Sequence, residues 1–302
     1  MPSMELLIAF VMATAVFAYM PGPALLYTAA QTLARGRRAG WLAVLGLHIG
    51  GYVHVCAAAL GLAVLFKAVP VLYLILKLAG AAYLIWLGLR HPGGAGTPVG
   101  RAKLSEAWRL LKSPIFIAAM LAGAATQGSH AVLYAYGSIH WASQGIDDAT
   151  IGALWALGVA VEVALMAIWG KTLIDRLGAA GAILLAASVG VFRWIVMSFD
   201  PGLVWLWPLQ ALHGLTFTAA HLGVMAFVQA AAPPQLAATA QGLTGALAGG
   251  VVMAGASFAA AWAYPAFGAD AYWIGVVLAA AGAIAAIALQ RSWNGKALSV
   301  GG

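Results

Sequence analysis

The chain has 302 residues, of which 64% are hydrophobic and 8% charged, with a formal net charge of +7 at pH 7. Soluble domains carry about 25% charged residues, so this much apolar surface excludes a water-soluble globule and specifies a bilayer protein. The basic excess raises the question of a nucleic-acid partner, which the placement of the charges answers below.

A hydrocarbon core about 30 Å thick takes about 20 apolar residues per helical crossing, and such stretches recur along the whole chain. Apolar runs between charged or turn-forming breaks predict an all-α, polytopic fold with nine spans. These lie near 6–30, 40–66, 69–89, 114–141, 151–169, 179–198, 203–228, 236–264 and 272–290. Met1–Phe10 has no basic n-region and carries Glu5, so the first helix is expected to be retained rather than cleaved as a signal peptide. The one cysteine, Cys56, has no partner for an internal disulfide and is expected to be a small core residue.

Orientation follows from the basic residues. Arg35, Arg37 and Arg38 follow the first span, while Arg90, Arg101, Lys103, Arg109 and Lys112 follow the third. Lys171 and Arg176 follow the fifth, and Arg291 and Lys296 the ninth. All fall on one side, and the opposite loops carry Asp147, Asp148, Asp200 and Asp270, with Lys67 the basic exception. The positive-inside rule then predicts a multi-pass protein of the cell inner (plasma) membrane, N-terminus outside and C-terminus cytoplasmic. Topology and anionic lipid account for the charge, and no nucleic-acid partner is called for.

The stretch His91–Lys112, with Pro92, Gly93, Gly94, Gly96, Pro98 and Gly100, is the natural linker. It divides a three-helix segment, residues 1–90, from a six-helix bundle at 113–291 followed by a tail at 292–302. The first segment holds Pro21-Gly22-Pro23 within a span, then Arg35-Gly36-Arg37-Arg38-Ala39-Gly40, then Lys77-Leu78-Ala79-Gly80-Ala81-Ala82-Tyr83-Leu84 and Trp86-Leu87-Gly88. That ordered set resembles the N-terminal half of the lysine and homoserine exporter family, which implies amino-acid export. Two prolines in three residues break the helix, and the freed carbonyls are tolerated only where protein or a cavity lines them. A broken helix is a usual place for a transport site, and a packing kink is an equal alternative.

The second segment carries Gln127-Gly128-Ser129-His130, Leu154-Trp155-Ala156-Leu157-Gly158-Val159 with Glu162, Phe192-Arg193-Trp194, and Gln210-Ala211-Leu212-His213-Gly214 followed by Phe217 and His221. It resembles the C-terminal six helices of a major facilitator superfamily proton symporter, in the group of 3-phenylpropionate permeases, nucleoside symporters and lactose permease. Gly170-Lys171 through Asp175-Arg176-Leu177-Gly178 is similar to that superfamily's cytoplasmic loop signature, one residue longer between its Gly and Asp. The resemblance implies a proton-coupled secondary transporter of a small organic solute. The alternatives are an amino-acid exporter and an inactive hybrid or membrane interaction module. Homo-oligomerisation is one way to supply the second bundle a facilitator rocks against.

A charge at mid-bilayer costs about 2.5–3.5 kcal/mol, so ionisable residues inside spans are candidates for function. At about 1.5 Å per residue, Glu162, His213 and His130 all lie roughly 15–16 Å deep. Gln210, His213, Phe217 and His221 fall within an arc of about 80° on one helix; Gln127, His130 and Tyr134 share a face of another, and Trp155 and Glu162 of a third. These faces are expected to line one cavity. Glu162 and His213 are the expected proton-coupling residues. Gln127, His130, Tyr134, Trp155, Arg193, Gln210, Phe217 and His221 are the expected substrate contacts. Arg193 either pairs with Glu162, the favoured expectation, or snorkels outward. In lactose-permease relatives an acid follows the matching histidine by one turn, where this chain has Thr216. His48, His54 and His221 fit packing as well as ligand roles, and six-residue spacing keeps His48 and His54 from sharing a metal on one helix. No metal, cofactor or enzymatic motif is predicted. Gly46/Gly50 and Gly245/Gly249 have the spacing of close helix packing. Trp41, Trp141, Trp205, Trp207, Tyr264 and Tyr272 fit interfacial anchors.

Overall fold

The structure, a computed structural model, describes residues 36–59, 104–233 and 236–298 together with scattered positions between 71 and 86. Every element among the described residues is helical. The chain divides into a unit within Pro21–Arg101 and one carrying Ala102–Gly302.

In the first unit, helix α1 (Arg37–Ala59) follows Gly36. His48 is exposed and places Nδ1 2.9 Å from the Val44 carbonyl of its own helix. Cys56 is exposed among the described residues, contrary to its expected place in a core. The Pro21-Gly22-Pro23 break lies outside the described residues.

In the second unit, α2 (Leu104–Lys112) occupies the C-terminal part of the expected linker. It is helical because Leu110 enters an apolar cluster with Phe116 and Phe227. Ser113 then caps α3 (Pro114–Gly128), its Oγ accepting from the Phe116 amide, with Pro114 in the first turn, where its missing N–H costs nothing. The span expected at 114–141 is not one helix. It breaks at Ser129 and His130 and resumes as α4 (Ala131–Ser143).

Asp147 opens α5 (Asp148–Ala164), accepting from the Thr150 amide at 3.0 Å and the Thr150 hydroxyl at 2.7 Å. A π turn, Leu165–Trp169, leads into α6 (Gly170–Ser198). The helix is interrupted at Gly178, whose φ of 66° and ψ of 177° belong to no right-handed helix and suit a residue without Cβ. The loop signature Gly170–Gly178 is therefore about two helical turns ended by its glycine, with Lys171 paired to Asp175 on its exposed side. After α7 (Leu203–Ala231) come α8 (Ala237–Gly245), a π turn (Ala246–Val252) and α9 (Met253–Phe267). A 3-10 turn from Gly268, φ 57°, leads into α10 (Trp273–Ser292). Among the described residues, four continuous runs, Pro114–Ser143, Asp148–Ser198, Leu203–Ala231 and Thr239–Ser292, are long and apolar enough to cross a membrane.

Helix α7 is central, packed on α5 and α6, and α10 packs on α6 and α3. Glycines make the closest approaches. A Cβ on Gly214 would stand 2.6 Å from the Glu162 amide nitrogen, one on Gly223 2.7 Å from the Ala179 carbonyl, and one on Gly282 2.6 Å from Thr126 Oγ1. The expected packing pairs do not serve this role: Gly46, Gly50, Gly245 and Gly249 meet nothing within 4 Å among the described residues. Two large apolar clusters, one around Phe116, Phe227 and Leu289 and the other around Trp141, Trp194 and Tyr272, and a small one of Ala186, Ala219 and Ala220 form the core. Trp141 and Tyr272 are thus core residues, each 1% exposed, rather than interfacial anchors, whereas Trp205 is 64% exposed. Phe258 and Trp262 are also exposed on α9, facing away from the core.

Candidate functional site

Between the two apolar clusters lies a buried polar layer of Thr126, Ser129, His130, Glu162, Arg193, Gln210, His213 and Thr216. Its backbone origin is the break after α3. The carbonyls of Thr126 and Gln127 there are taken up locally: Ser129 Oγ donates to Thr126 O at 2.6 Å, and His130 Nδ1 sits 3.2 Å from each of the two oxygens. Trp194 Nε1 donates to Ser129 Oγ at 2.9 Å and fixes the turn from α6.

Arg193 is completely enclosed, so it does not snorkel. Its Nε donates to the Leu209 carbonyl at 2.8 Å, one terminal nitrogen donates to Gln210 Oε1 at 2.7 Å, and the other lies 3.5 Å from His213 Nδ1. The guanidinium also lies 4.3 Å from the centre of the Trp194 ring. Gln210 is held in turn by donating to the Leu154 carbonyl at 3.4 Å. The favoured pairing of Arg193 with Glu162 is not formed: the ion pairs among the described residues are His140–Asp200 and Lys171–Asp175. The reason is packing. Glu162 lies against α7 where Gly214 and Thr218 contact its backbone, Thr218 donating to the Glu162 carbonyl at 3.2 Å, while Arg193 reaches Leu209 and Gln210 a turn or more away along that helix.

The expected aromatic contacts do converge. Ring centres are 5.7 Å apart for His130 and Tyr134, 6.1 Å for Tyr134 and Trp155, and 5.9 Å for Tyr134 and His213. His130 and His213 meet edge to face at 5.1 Å. The line continues along α7 through Phe217, 6.1 Å from His213, to His221, stacked 6.1 Å beyond. Trp155 is steadied by donating to Ser138 Oγ at 2.9 Å. Tyr134 is 44% exposed, so this aromatic row has an open side. Gln127 keeps an enclosed Oε1 without a partner.

Three contacts went unforeseen. Thr216, singled out only for replacing an acid, places Oγ1 3.1 Å from His130 Nε2 and 3.0 Å from the His213 carbonyl. Trp194 links Arg193 to His130, whose ring meets its edge at 5.1 Å; its place beside Arg193 was the available signal. At the α6–α7 turn, Asp200 accepts from His140 at 2.8 Å and from Gln144, and His140 Nδ1 lies 2.9 Å from the Tyr264 hydroxyl. Asp200 has a φ of 54°, which pattern analysis does not register. No group of three or more metal-ligating side chains occurs among the described residues.

An all-helical fold with apolar spanning runs and a polar layer sealed between apolar clusters defines a polytopic membrane protein, and the chain belongs to the MFS_1 like family, whose profile matches residues 7–275. Among curated proteins it is 33% identical over 141 residues to the probable 3-phenylpropionic acid transporter of Escherichia coli K12, covering 47% of this chain and 35% of that protein. It is also 37% identical over 83 residues to the leucine efflux protein of Salmonella typhimurium, covering 28% of this chain and 39% of the relative. A homoserine/homoserine lactone efflux protein of Salmonella typhi is 32% identical over 111 residues, 36% of this chain and 54% of the relative. The chain thus spans about a third to a half of the length of these relatives. Both resemblances drawn from the sequence, to facilitator symporters and to amino-acid exporters, are found again here. No solved structure matches.

Proposed function

We propose that the chain is a proton-coupled secondary carrier of a small organic anion. The observation that supports this most is Arg193, a fully buried guanidinium with no carboxylate within ion-pair distance among the described residues. Burying an unpaired ion costs several kcal/mol, and a bound anion offsets that cost. The aromatic row of Tyr134, Trp155 and Phe217 adds a surface for an apolar or aromatic body. An aromatic carboxylate, the class named by the 3-phenylpropionic acid relative, has both parts.

The runs Asp148–Ser198 and Thr239–Ser292, 51 and 54 residues long, are each too long for one crossing and are each broken at a glycine of positive φ. Residues 113–291 then form six crossings, and with three before the linker the chain has nine, the C-terminus cytoplasmic. Glu162, three residues before the Leu165–Trp169 π turn, and His213 exchange the proton. The open side of the row needs a second bundle, which a second copy of the chain supplies.

The efflux-protein relatives support a second reading, in which the unit within Pro21–Arg101 serves amino-acid export. Uptake by proteoliposomes under an imposed pH gradient separates the two. Gradient-driven accumulation of 3-phenylpropionate is expected, and Glu162→Gln is expected to abolish its gradient dependence. Leucine flux without 3-phenylpropionate flux favours the exporter, and leak-level flux of both leaves an inactive hybrid or an interaction module.

A further inference from the structure

His130 has a hydrogen-bond arrangement that fits two protonation states with one small movement. Its Nδ1 faces only carbonyl oxygens, those of Thr126 and Gln127. Carbonyls accept and never donate, so Nδ1 carries a hydrogen in either state. Its Nε2 faces the Thr216 hydroxyl, which has one hydrogen and two acceptors in reach, Nε2 itself and the His213 carbonyl. When His130 is neutral, Thr216 donates to Nε2. When a proton is added at Nε2, that nitrogen donates to Thr216 Oγ1, and the hydroxyl turns its hydrogen to the His213 carbonyl. Every donor and acceptor remains satisfied, which matters because an unpaired buried polar group costs about 1–3 kcal/mol.

The surrounding groups say when that proton binds. The titratable and charged side chains around His130 are Arg193 on α6, His213 on α7 and Tyr134 on α4, with Glu162 on α5 beyond Tyr134 and Tyr272 stacked on the far side of Trp194. Arg193 and His130 touch the same indole, Trp194, and both touch His213. With Arg193 bare, a second positive charge so close is disfavoured. An anion on Arg193 removes that repulsion, so anion and proton promote each other's binding by linkage.

We propose that His130 is the proton-binding residue of the carrier, switched by the Thr216 hydroxyl, and that it takes a proton from solvent when an anion occupies Arg193. This rests on the organic-anion reading of the site; Glu162 and His213 then deliver the proton rather than store it.

The test is proton uptake on adding 3-phenylpropionate to the purified full chain in nanodiscs, in weak buffer with a pH indicator, expressed per molecule of ligand bound. About one proton per ligand is expected for the wild type and for Thr216→Ser, which keeps the hydroxyl. The ratio is expected to fall below about half of that in His130→Asn, whose amide still donates to the two carbonyls, and in Thr216→Val. A wild-type ratio in both of these overturns the proposal. If His130→Asn does not fold, Thr216→Val against Thr216→Ser decides. If 3-phenylpropionate does not bind the wild type, the anion reading fails by itself, and ¹⁵N spectra of histidine-labelled protein at alkaline pH decide the proposal. A hydrogen on His130 Nδ1 supports it, and one on Nε2 overturns it.

Discussion

Replacing Arg193 by Met separates a carrier site from a structural one, because the two roles predict opposite balances of binding and stability. The side chain gives up charge-assisted hydrogen bonds to Gln210 Oε1 and the Leu209 carbonyl, each about 1.5–3 kcal/mol. Against that, the fully buried cation disappears, returning a desolvation cost of several kcal/mol, and Met fills much of the volume beside Trp194. The two nearly cancel, so unfolding free energy is expected to move by less than about 2 kcal/mol. Binding has no such offset. Losing one partner of a buried charge pair costs about 2–5 kcal/mol, roughly 30-fold to several thousand-fold in Kd. Calorimetric titration of 3-phenylpropionate into nanodiscs, with thermal unfolding in parallel, measures both. A variant that folds normally and binds within about threefold of wild type refutes the assignment of Arg193 to the anion.

Gly214→Ala inserts a Cβ against the Glu162 backbone and is expected to cost about 1–3 kcal/mol, read from thermal unfolding, whereas Gly249→Ala is expected to be near neutral because that Cβ meets nothing. His140→Ala removes the link between Asp200 and the Tyr264 hydroxyl; with Asp200 about half exposed the loss is expected below about 1 kcal/mol, and a larger fall in unfolding stability marks the cluster as a structural clasp. The Thr150 hydroxyl and then its amide hold the Asp147 carboxyl below the usual carboxylate range. A depressed native pKa stabilises the fold above the unfolded-state pKa and is lost as pH falls through the native one. The α5 cap is therefore expected to loosen only in acid, and Asp147→Asn to flatten that part of the stability profile.

Apolar run length located the helices of the second unit, and helical periodicity found the face shared by Gln210, His213 and Phe217 and the one shared by His130 and Tyr134. Both are properties of one helix at a time. What failed depends on how helices face each other. Arg193 was expected to reach Glu162, but the two meet α7 at different levels, Arg193 at Leu209 and Gln210 and Glu162 at Gly214 and Thr218. Spacing marked Gly245 and Gly249 as contact glycines, yet the contacts belong to Gly158, Gly214 and Gly223, because a partner helix has to pass the glycine as well. Trp141 and Tyr272 lie near span ends, as interfacial residues do, but both face inward. The break at Ser129–His130 follows Gly128, but the chain has many glycines inside its apolar runs, so a lone one did not mark it.

That break is where the backbone and the polar layer become one feature. A continuous helix from Pro114 to Ser143 satisfies its own carbonyls, and inside a bilayer that is the cheapest arrangement. This chain instead tightens the helix there: the His130 amide turns back to the Gln127 carbonyl, and Ser129 Oγ and His130 Nδ1 add side-chain contacts to the Thr126 and Gln127 oxygens. Those two carbonyls hold the ring at Nδ1, and its other nitrogen is aimed at Thr216 on α7. Thr216, one turn beyond His213 on α7, thus serves a histidine across the bundle as well as bonding back to the His213 carbonyl of its own helix.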